Sequence, residues 1–363
     1  MPFLEAIGTA VPGPGVPQAA VRAKAEEVLS VLAPELVEKL SIFENVGIRK
    51  RHFVRPIEWF LEPHGWGERN AIYAEEGVKL IEQAARLALA RAKLPASAID
   101  GVVLVSTTGI ATPSLDARLA NRIGLRSDVT RLPVFGLGCA GGVAGIRIAA
   151  DLARANPEKR YLLLSLELCS LAFNLSDVSV RAFVATTLFA DGAAAAIVRG
   201  DECGGMPPRR ADDDEAASER GAIARIGAGA SHQWRDTEDV MGWDVTDDGL
   251  RVVFSRRIPD ITRNELRPIV DRFLKEHGVE RPDRYVFHPG GTKVLEAYED
   301  ALGLAPEALA TARNALMEYG NMSSPTVLFA LEESLQRPMR AGETALLASL
   351  GPGFTSELAL LHG

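Results

Sequence analysis

Through its first half the chain alternates short, unbroken apolar runs with longer helix-like stretches. Gly101 to Ser106 (GVVLVS), Leu132 to Phe135, Tyr161 to Ser165 (YLLLS) and Ala193 to Val198 (AAAAIV) have the length and β-branched or aliphatic content of buried strands. Ser114 to Ile123 and Ala140 to Ala155 read as helices between them. Continuous rather than alternating apolar strands belong to sheets covered on both faces. The pattern then breaks. Gly200 to Ala222 is rich in Gly, Pro, Arg and Asp, includes Asp212-Asp213-Asp214-Glu215, and reads as an exposed linker or surface loop.

Beyond that loop the rhythm resumes. Asp260 to His277 is helix-like and Tyr285-Val286-Phe287 is a strand. A helix runs to Leu335 from near Ser324 and Pro325, a predicted N-cap and first helical position. Ala345 to Leu350 and Glu357 to Leu361 are paired strands joined by Gly351-Pro352-Gly353. The fold class is therefore α/β, in two halves, residues 1–210 and 220–363. Two such halves are consistent with an internal duplication, although no sequence repeat proves it.

Composition narrows the function classes. A chain of 363 residues is long enough for one large or two similar domains. A formal net charge of -8 gives no electrostatic reason to expect a nucleic acid or an anionic membrane as partner. No apolar run approaches the roughly 20 residues that span a bilayer. Met1-Pro2-Phe3-Leu4-Glu5 lacks the basic start and apolar stretch of a signal peptide. Cys139, Cys169 and Cys203 are too few for a disulfide framework and form no CxxC pair, so no metal site is expected. A reducing cytoplasm is the simplest compartment.

The richest segment is Val134-Phe135-Gly136-Leu137-Gly138-Cys139-Ala140-Gly141-Gly142-Val143. A buried strand ends, glycines allow a sharp turn, and a helix is predicted to begin at the cysteine. Such a turn pushes one side chain outward. It sets the sulfur over free helix N–H groups and leaves a glycine-lined approach for a ligand. An ordinary thiol is only about 3% thiolate at neutral pH, and a helix N-terminus with a neighbouring imidazolium is expected to make thiolate the main species. The segment also fits a buried cysteine in a tight strand–helix contact. Cys169 and Cys203 have no such setting and read as structural.

Of six histidines, only His288 ends an apolar strand and enters a glycine turn, in Tyr285-Val286-Phe287-His288-Pro289-Gly290-Gly291. Side chains at strand ends are well placed for sites in α/β folds. Asn321 lies in Tyr319-Gly320-Asn321-Met322-Ser323-Ser324-Pro325, where a turn residue after a helix is the other reading. A Cys/His/Asn set can activate a thiolate and polarise a carbonyl, but spacing alone does not bring the three together.

Taken together these segments resemble the type III polyketide synthases, the chalcone-synthase-like family. The pieces are GLGCAGG around Cys139, LFADGAAA from Leu188, HPGG from His288, YGNMSS from Tyr319 and GPGFTSE from Gly351, in the family's order. The resemblance implies a thiolase-like αβαβα layered fold, a homodimer, and no cofactor beyond the substrates malonyl-CoA and acyl-CoA. It implies Cys139 as acyl carrier with His288 and Asn321 as partners. Phe189 falls on the gatekeeper between access tunnel and cavity, Gly351, Pro352 and Gly353 on a cavity-shaping loop. Thr112 falls where relatives present a residue to the partner subunit.

Two departures stand out. The second gatekeeper position is occupied by Val252, and a side chain this small is expected to widen the cavity or tunnel. The stretch comparable to the CoA-phosphate site of plant relatives, Glu38 to Asn45, has only Lys39 as a base, followed by Arg49, Lys50 and Arg51. This basic set is the expected CoA entrance, with a solvated surface cluster as the other reading and an acyl carrier protein as the other donor. The implied reaction is decarboxylative condensation of malonyl units on an acyl-Cys139, with Val252 favouring a medium or long fatty acyl starter and a pyrone or resorcinol-type product. A single-condensation ketoacyl synthase, a cysteine thioesterase and a non-catalytic acyl-binding protein are the rivals.

Overall fold

The computed structural model describes residues 1–175, 177–204, 206–208 and 221–363. The acidic run at 212–215 and the expected half boundaries at 210 and 220 lie outside the described residues.

The strands are β1 (Phe3–Ala10), β2 (Gly101–Val105), β3 (Thr130–Val134), β4 (Arg160–Leu168), β5 (Asp191–Arg199) and β6 (Ala224–Gln233). A hairpin follows, β7 (Met241–Thr246) with β8 (Gly249–Phe254), and then β9 (Arg284–Phe287), β10 (Thr344–Gly351) and β11 (Thr355–His362). Nine of them, all but the hairpin, form one sheet ordered β9-β10-β11-β6-β1-β5-β4-β2-β3. Its two wings repeat a single plan. β1 pairs antiparallel with β5, β5 antiparallel with β4, and β4 parallel with β2. Likewise β6 pairs antiparallel with β11, β11 antiparallel with β10, and β10 parallel with β9.

The period of two along the apolar strands decides the layering. In β4, Leu162, Leu164 and Leu166 face a core with helix α2 (Trp66–Ala92) and helix α3 (Leu115–Ile123), while Leu163 faces the opposite core. That opposite core holds α4 (Gly141–Ala155) and α9 (Thr326–Ser334) between the two wings. Beyond the second wing, Leu346, Leu358 and Leu360 pack on α6 (Ile258–Glu276), α7 (Thr292–Leu302) and α8 (Ala310–Tyr319). The result is the αβαβα thiolase-like fold. The buried positions of its central helices are nearly all small or aliphatic, and α4 turns Asp151 and Arg154 to solvent near its end.

Three local expectations need correction. The cysteine precedes its helix: Cys139 lies in a 3-10 turn, Gly138–Ala140, and α4 starts at Gly141. Ser324 is not the N-cap of α9, because Pro325 takes that position without a side-chain cap. The run Leu132 to Phe135 is not buried, since β3 is the outermost strand of its wing, with Leu132 38% and Phe135 59% exposed. Among the described residues, no helix is long and apolar enough to cross a membrane.

Candidate active site

The nucleophile turn is held open by φ values that only glycine adopts easily, +90° at Gly136 and +46° at Gly138. The glycines after the cysteine serve packing, contrary to the ligand approach expected of them. A Cβ on Gly142 would lie 2.3 Å from the Ser324 carbonyl oxygen. The turn is also tied down from below. The Gly138 N–H donates to Thr107 Oγ1 at 3.0 Å. Thr107 and Thr108 in turn donate their backbone N–H groups to Glu167 Oε2, each at 3.0 Å.

His288 and Asn321 approach from the second wing. His288 follows β9, its N–H donating to the Ala348 carbonyl at 2.8 Å. Asn321 follows α8 and forms a parallel bridge with Phe189. Its side chain is fixed at both ends: Nδ2 donates to the Gly290 carbonyl at 3.2 Å, and Oδ1 accepts from the Ser323 N–H at 2.8 Å. The Ser323 hydroxyl accepts from the Cys139 thiol at 3.4 Å. Cys139, Asn321 and the turn after His288 are therefore linked through Ser323 and Gly290.

His288 is 2% exposed, and both of its ring nitrogens are buried without a hydrogen-bond partner. Buried polar atoms of this kind need a partner from somewhere. Burial alone pushes the imidazole down to about 3. Burial likewise pushes the Cys139 thiol up to about 12, opposed by the Ser323 hydrogen bond. The expected resting thiolate is thus not what the site favours. Isolated from each other, both groups are neutral, and ionisation requires a proton to pass between them.

Cys139 opens onto a small cavity lined also by Phe189, Trp243, Val252, Ser323 and Pro352. Phe189 and Pro352 are thus at its wall. Gly351 is packed against Ala140, and the Gly353 N–H donates to the Met241 carbonyl at 3.1 Å. Val252 does not leave the expected open space. Trp243 stands directly across the hairpin from it and tilts against Phe189, ring centroids 5.6 Å apart. Thr112 is exposed and is not part of this cavity's lining.

The basic set does not converge. Lys39 sits 3.6 Å from Glu38, and Arg49 and Lys50 both pair with Glu318, at 2.5 and 3.3 Å. Arg51 is fully buried and is no entrance residue. It donates to Gln18 Oε1 at 2.8 Å and to the carbonyls of Thr186 and Phe189 at 2.6 and 2.8 Å. Burial lowers its pKa to about 9, opposed by nearby Asp191. It holds the backbone at Thr186 and Phe189, a role the sequence cluster concealed.

Residues 2–202 match the family described as chalcone and stilbene synthases, N-terminal domain, and residues 229–363 match its C-terminal domain. The chain belongs to the chalcone and stilbene synthase family. It is a type III polyketide synthase and, as such, an acyltransferase. A putative chalcone synthase of Bacillus subtilis (strain 168) is 39% identical over 99% of this chain and 98% of its own. A 1,3,6,8-tetrahydroxynaphthalene synthase of Streptomyces peucetius subsp. caesius is 41% identical over 88% and 81%. The crystal structure of 1,3,6,8-tetrahydroxynaphthalene synthase from Streptomyces coelicolor A3(2) superposes with a TM-score of 0.89. It is 33% identical and covers 99% of both chains.

Two carboxylates escaped the sequence reading. Glu167 interrupts the apolar run of β4, and Asp191 starts β5 inside LFADGAAA. Both are fully buried. Burial pushes Glu167 up to about 7 and Asp191 up to about 6, each opposed by the hydrogen bonds it accepts. A charged residue inside an aliphatic strand was the available signal.

Proposed function

We propose that Cys139, His288 and Asn321 carry out decarboxylative condensation of malonyl-CoA onto an acyl-CoA starter, repeated and closed by cyclisation. The observation that carries this is His288, buried with both ring nitrogens unpartnered, in the turn that Asn321 and Ser323 link to Cys139. The Cys139 proton passes to His288 and the sulfur attacks the starter thioester. The proton then goes to the departing CoA sulfur, which restores a neutral imidazole with one N–H. Malonyl-CoA enters next. The His288 N–H and the second Asn321 Nδ2–H, the first being held by Gly290, donate to its thioester oxygen. Loss of CO2 builds negative charge on that oxygen, where one fixed donor contributes about 3–4 kcal/mol. The enolate carbon attacks the acyl-Cys139 carbonyl, the sulfur leaves, and the chain on CoA is two carbons longer.

A homodimer is supported by the exposed Ile110, Leu132 and Phe135, which lie in or after the adjacent strands β2 and β3, with Thr112 beside them. The starter is a medium or long fatty acyl group and the product a pyrone or resorcinol-type ring.

Mass spectrometry of products from purified protein, malonyl-CoA and a ladder of acyl-CoA starters tests the reaction, with Cys139→Ala as control. Products growing by two-carbon units and absent in the control are expected. One β-keto product would reassign the chain to single condensation. Free acid without malonate incorporation would make it a thioesterase. An acylated Cys139 that yields no product would point to a carrier-protein donor.

A further inference from the structure

Glu167 stands near the end of β4 between Leu166 and Leu168, and it is fully buried. A carboxylate in that place costs far more than the aliphatic residue such a strand would otherwise take. What opposes the cost is a set of neutral donors, from Thr107, Thr108 and Ser324. An acid held inside an aliphatic strand on these terms points to function more than to stability.

The donors come from both halves of the chain. β2 and β4 pair with Val105 opposite Ser165, which brings the loop after β2 past Glu167. There Oε2 accepts the Thr107 and Thr108 N–H groups, and Thr107 Oγ1 accepts the N–H of Gly138, the residue before Cys139. On the other side Oε1 accepts the Ser324 hydroxyl at 3.2 Å, and Ser165 donates to that hydroxyl at 2.8 Å. Ser324 directly follows Ser323, whose hydroxyl meets the Cys139 thiol and whose N–H fixes Asn321 Oδ1. The Ser323 backbone, at a φ of 56°, keeps that shape only under restraint from its neighbours. Asp191, the other buried carboxylate, has no such reach. It accepts from Val54 and Ser170. The nearby Arg51 ties the start of α1 (Gln18–Leu32) to α5 (Val180–Leu188).

We propose that Glu167 is a positioning residue. Through Thr107 on one side and Ser324 on the other, its carboxyl group sets the placement of the Cys139 sulfur relative to the Ser323 hydroxyl and the Asn321 side chain. The proposal rests on the triad reading above, since Asn321 is one of the groups it places. It goes beyond that reading by giving one side chain the alignment of a nucleophile and a hydrogen-bond donor that come from different halves of the chain. Glu167 is not part of the wall of the Cys139 cavity, so it acts only through the two turns. A shift of about 1 Å between reacting groups costs about a hundredfold in rate, so the hold is expected in kcat rather than in KM.

The test compares Glu167→Gln with Glu167→Leu. Gln keeps an acceptor for Thr107 and Thr108 and a polar contact to Ser324, whereas Leu suits the strand and removes both ties. Neither carries the charge, so a difference between them reports on position alone. Thermal unfolding confirms that each variant is folded. With malonyl-CoA and a hexanoyl-CoA starter, kcat is expected to be at least about tenfold lower in the Leu variant than in the Gln variant, with KM for malonyl-CoA within about threefold in both. Alkylation of Cys139 by iodoacetamide at neutral pH should be about fivefold slower in the Leu variant than in the Gln variant, with its pH profile displaced upward. Thr107→Val removes the acceptor for the Gly138 N–H while leaving the carboxyl group in place. It should lower kcat about tenfold, and it carries the test if Glu167→Leu does not fold. Equal kcat and superposable alkylation profiles in the two Glu167 variants, or wild-type values in Thr107→Val, overturn the positioning role. Absence of two-carbon ladder products from the wild type overturns the proposed function instead. The alkylation comparison then still tests the hold on Cys139, because it needs no substrate.

Discussion

The thiol of Cys139 and the hydroxyl of Ser323 are 3.4 Å apart, with the thiol as donor. Ser323 holds a φ of 56°, in the left-handed region where a side chain is strained, and it is the second residue after Asn321. The same residue therefore serves both partners, its N–H fixing Asn321 Oδ1 and its hydroxyl touching the sulfur.

Once the thiol ionises it has no proton to donate, and the Ser323 hydroxyl turns to donate to the sulfur, so replacing Ser323 with Ala removes the bond that opposes its desolvation. With about 1 kcal/mol for such a bond, alkylation of Cys139 by iodoacetamide at neutral pH should slow about fivefold. The pH profile of alkylation should move upward. An unchanged profile would mean that the hydroxyl does not stabilise the thiolate.

His288→Ala probes the proton acceptor. With no base to take its proton, the buried thiol is left near about 12. Alkylation at neutral pH should drop more than about tenfold and recover only toward alkaline pH. Malonyl-CoA decarboxylation should fall in parallel, since the same ring supplies a donor N–H. Near-normal decarboxylation in this variant would remove His288 from the mechanism.

Much of this was legible in the chain. GVVLV, YLLLS and AAAAIV became β2, β4 and β5 because unbroken apolar runs have few other places to go. The Gly136–Gly138 turn and the strand-end position of His288 were equally readable. What was not legible depends on contacts across the two wings. Ser324 has the local signature of an N-cap, but its hydroxyl is taken by Ser165 at 2.8 Å and Glu167 at 3.2 Å. Arg51 has the sequence neighbours of a surface cluster, and only tertiary packing buries it. Val252 predicts open space that Trp243, nine residues earlier, occupies.

Glu167 gives a pH prediction with a definite sign. Its folded pKa, about 7, lies above the ordinary carboxylate value of 4.5. The folded state therefore binds this proton more tightly than the unfolded one. The stabilising contribution is complete below about pH 4.5 and is lost as pH rises through about 7, amounting to about 3 kcal/mol. Glu167→Gln mimics the protonated form, with Oε1 accepting from Thr107 and Thr108 and Nε2 donating to Ser324. Urea unfolding from pH 4.5 to 8 should show a shallower fall in stability for the variant. Parallel curves would mean that the carboxylate stays ionised throughout.

Arg51→Met separates a structural role from a CoA-binding one. It strips donors from Gln18 and from the Thr186 and Phe189 carbonyls at once. Breaking a buried charged network costs about 3–5 kcal/mol. Urea unfolding should show a loss of that order, whereas Arg49→Ala, at an exposed ion pair with Glu318, should change stability by about 1 kcal/mol or less. Unaltered stability in Arg51→Met, together with a large rise in KM for malonyl-CoA, would return Arg51 to the entrance.

Trp243 decides how much of the space behind Phe189 is usable. It pairs with Val252 across the β7–β8 hairpin, and together with Phe189 these two line both the Cys139 cavity and the one beyond. Trp243→Ala removes the indole from the junction and merges the two cavities. The growing chain then has room to extend before it folds back to cyclise. With one starter, the product distribution should shift to longer chains by at least one two-carbon unit, read by mass spectrometry. Val252→Phe adds a ring at the same junction and should shift the distribution the other way. Loss of the indole should also destabilise the protein by about 3 kcal/mol, so the assay belongs well below the unfolding midpoint. If both variants give the wild-type distribution, chain length is set elsewhere, and the Phe189–Trp243–Val252 junction is packing rather than a ruler.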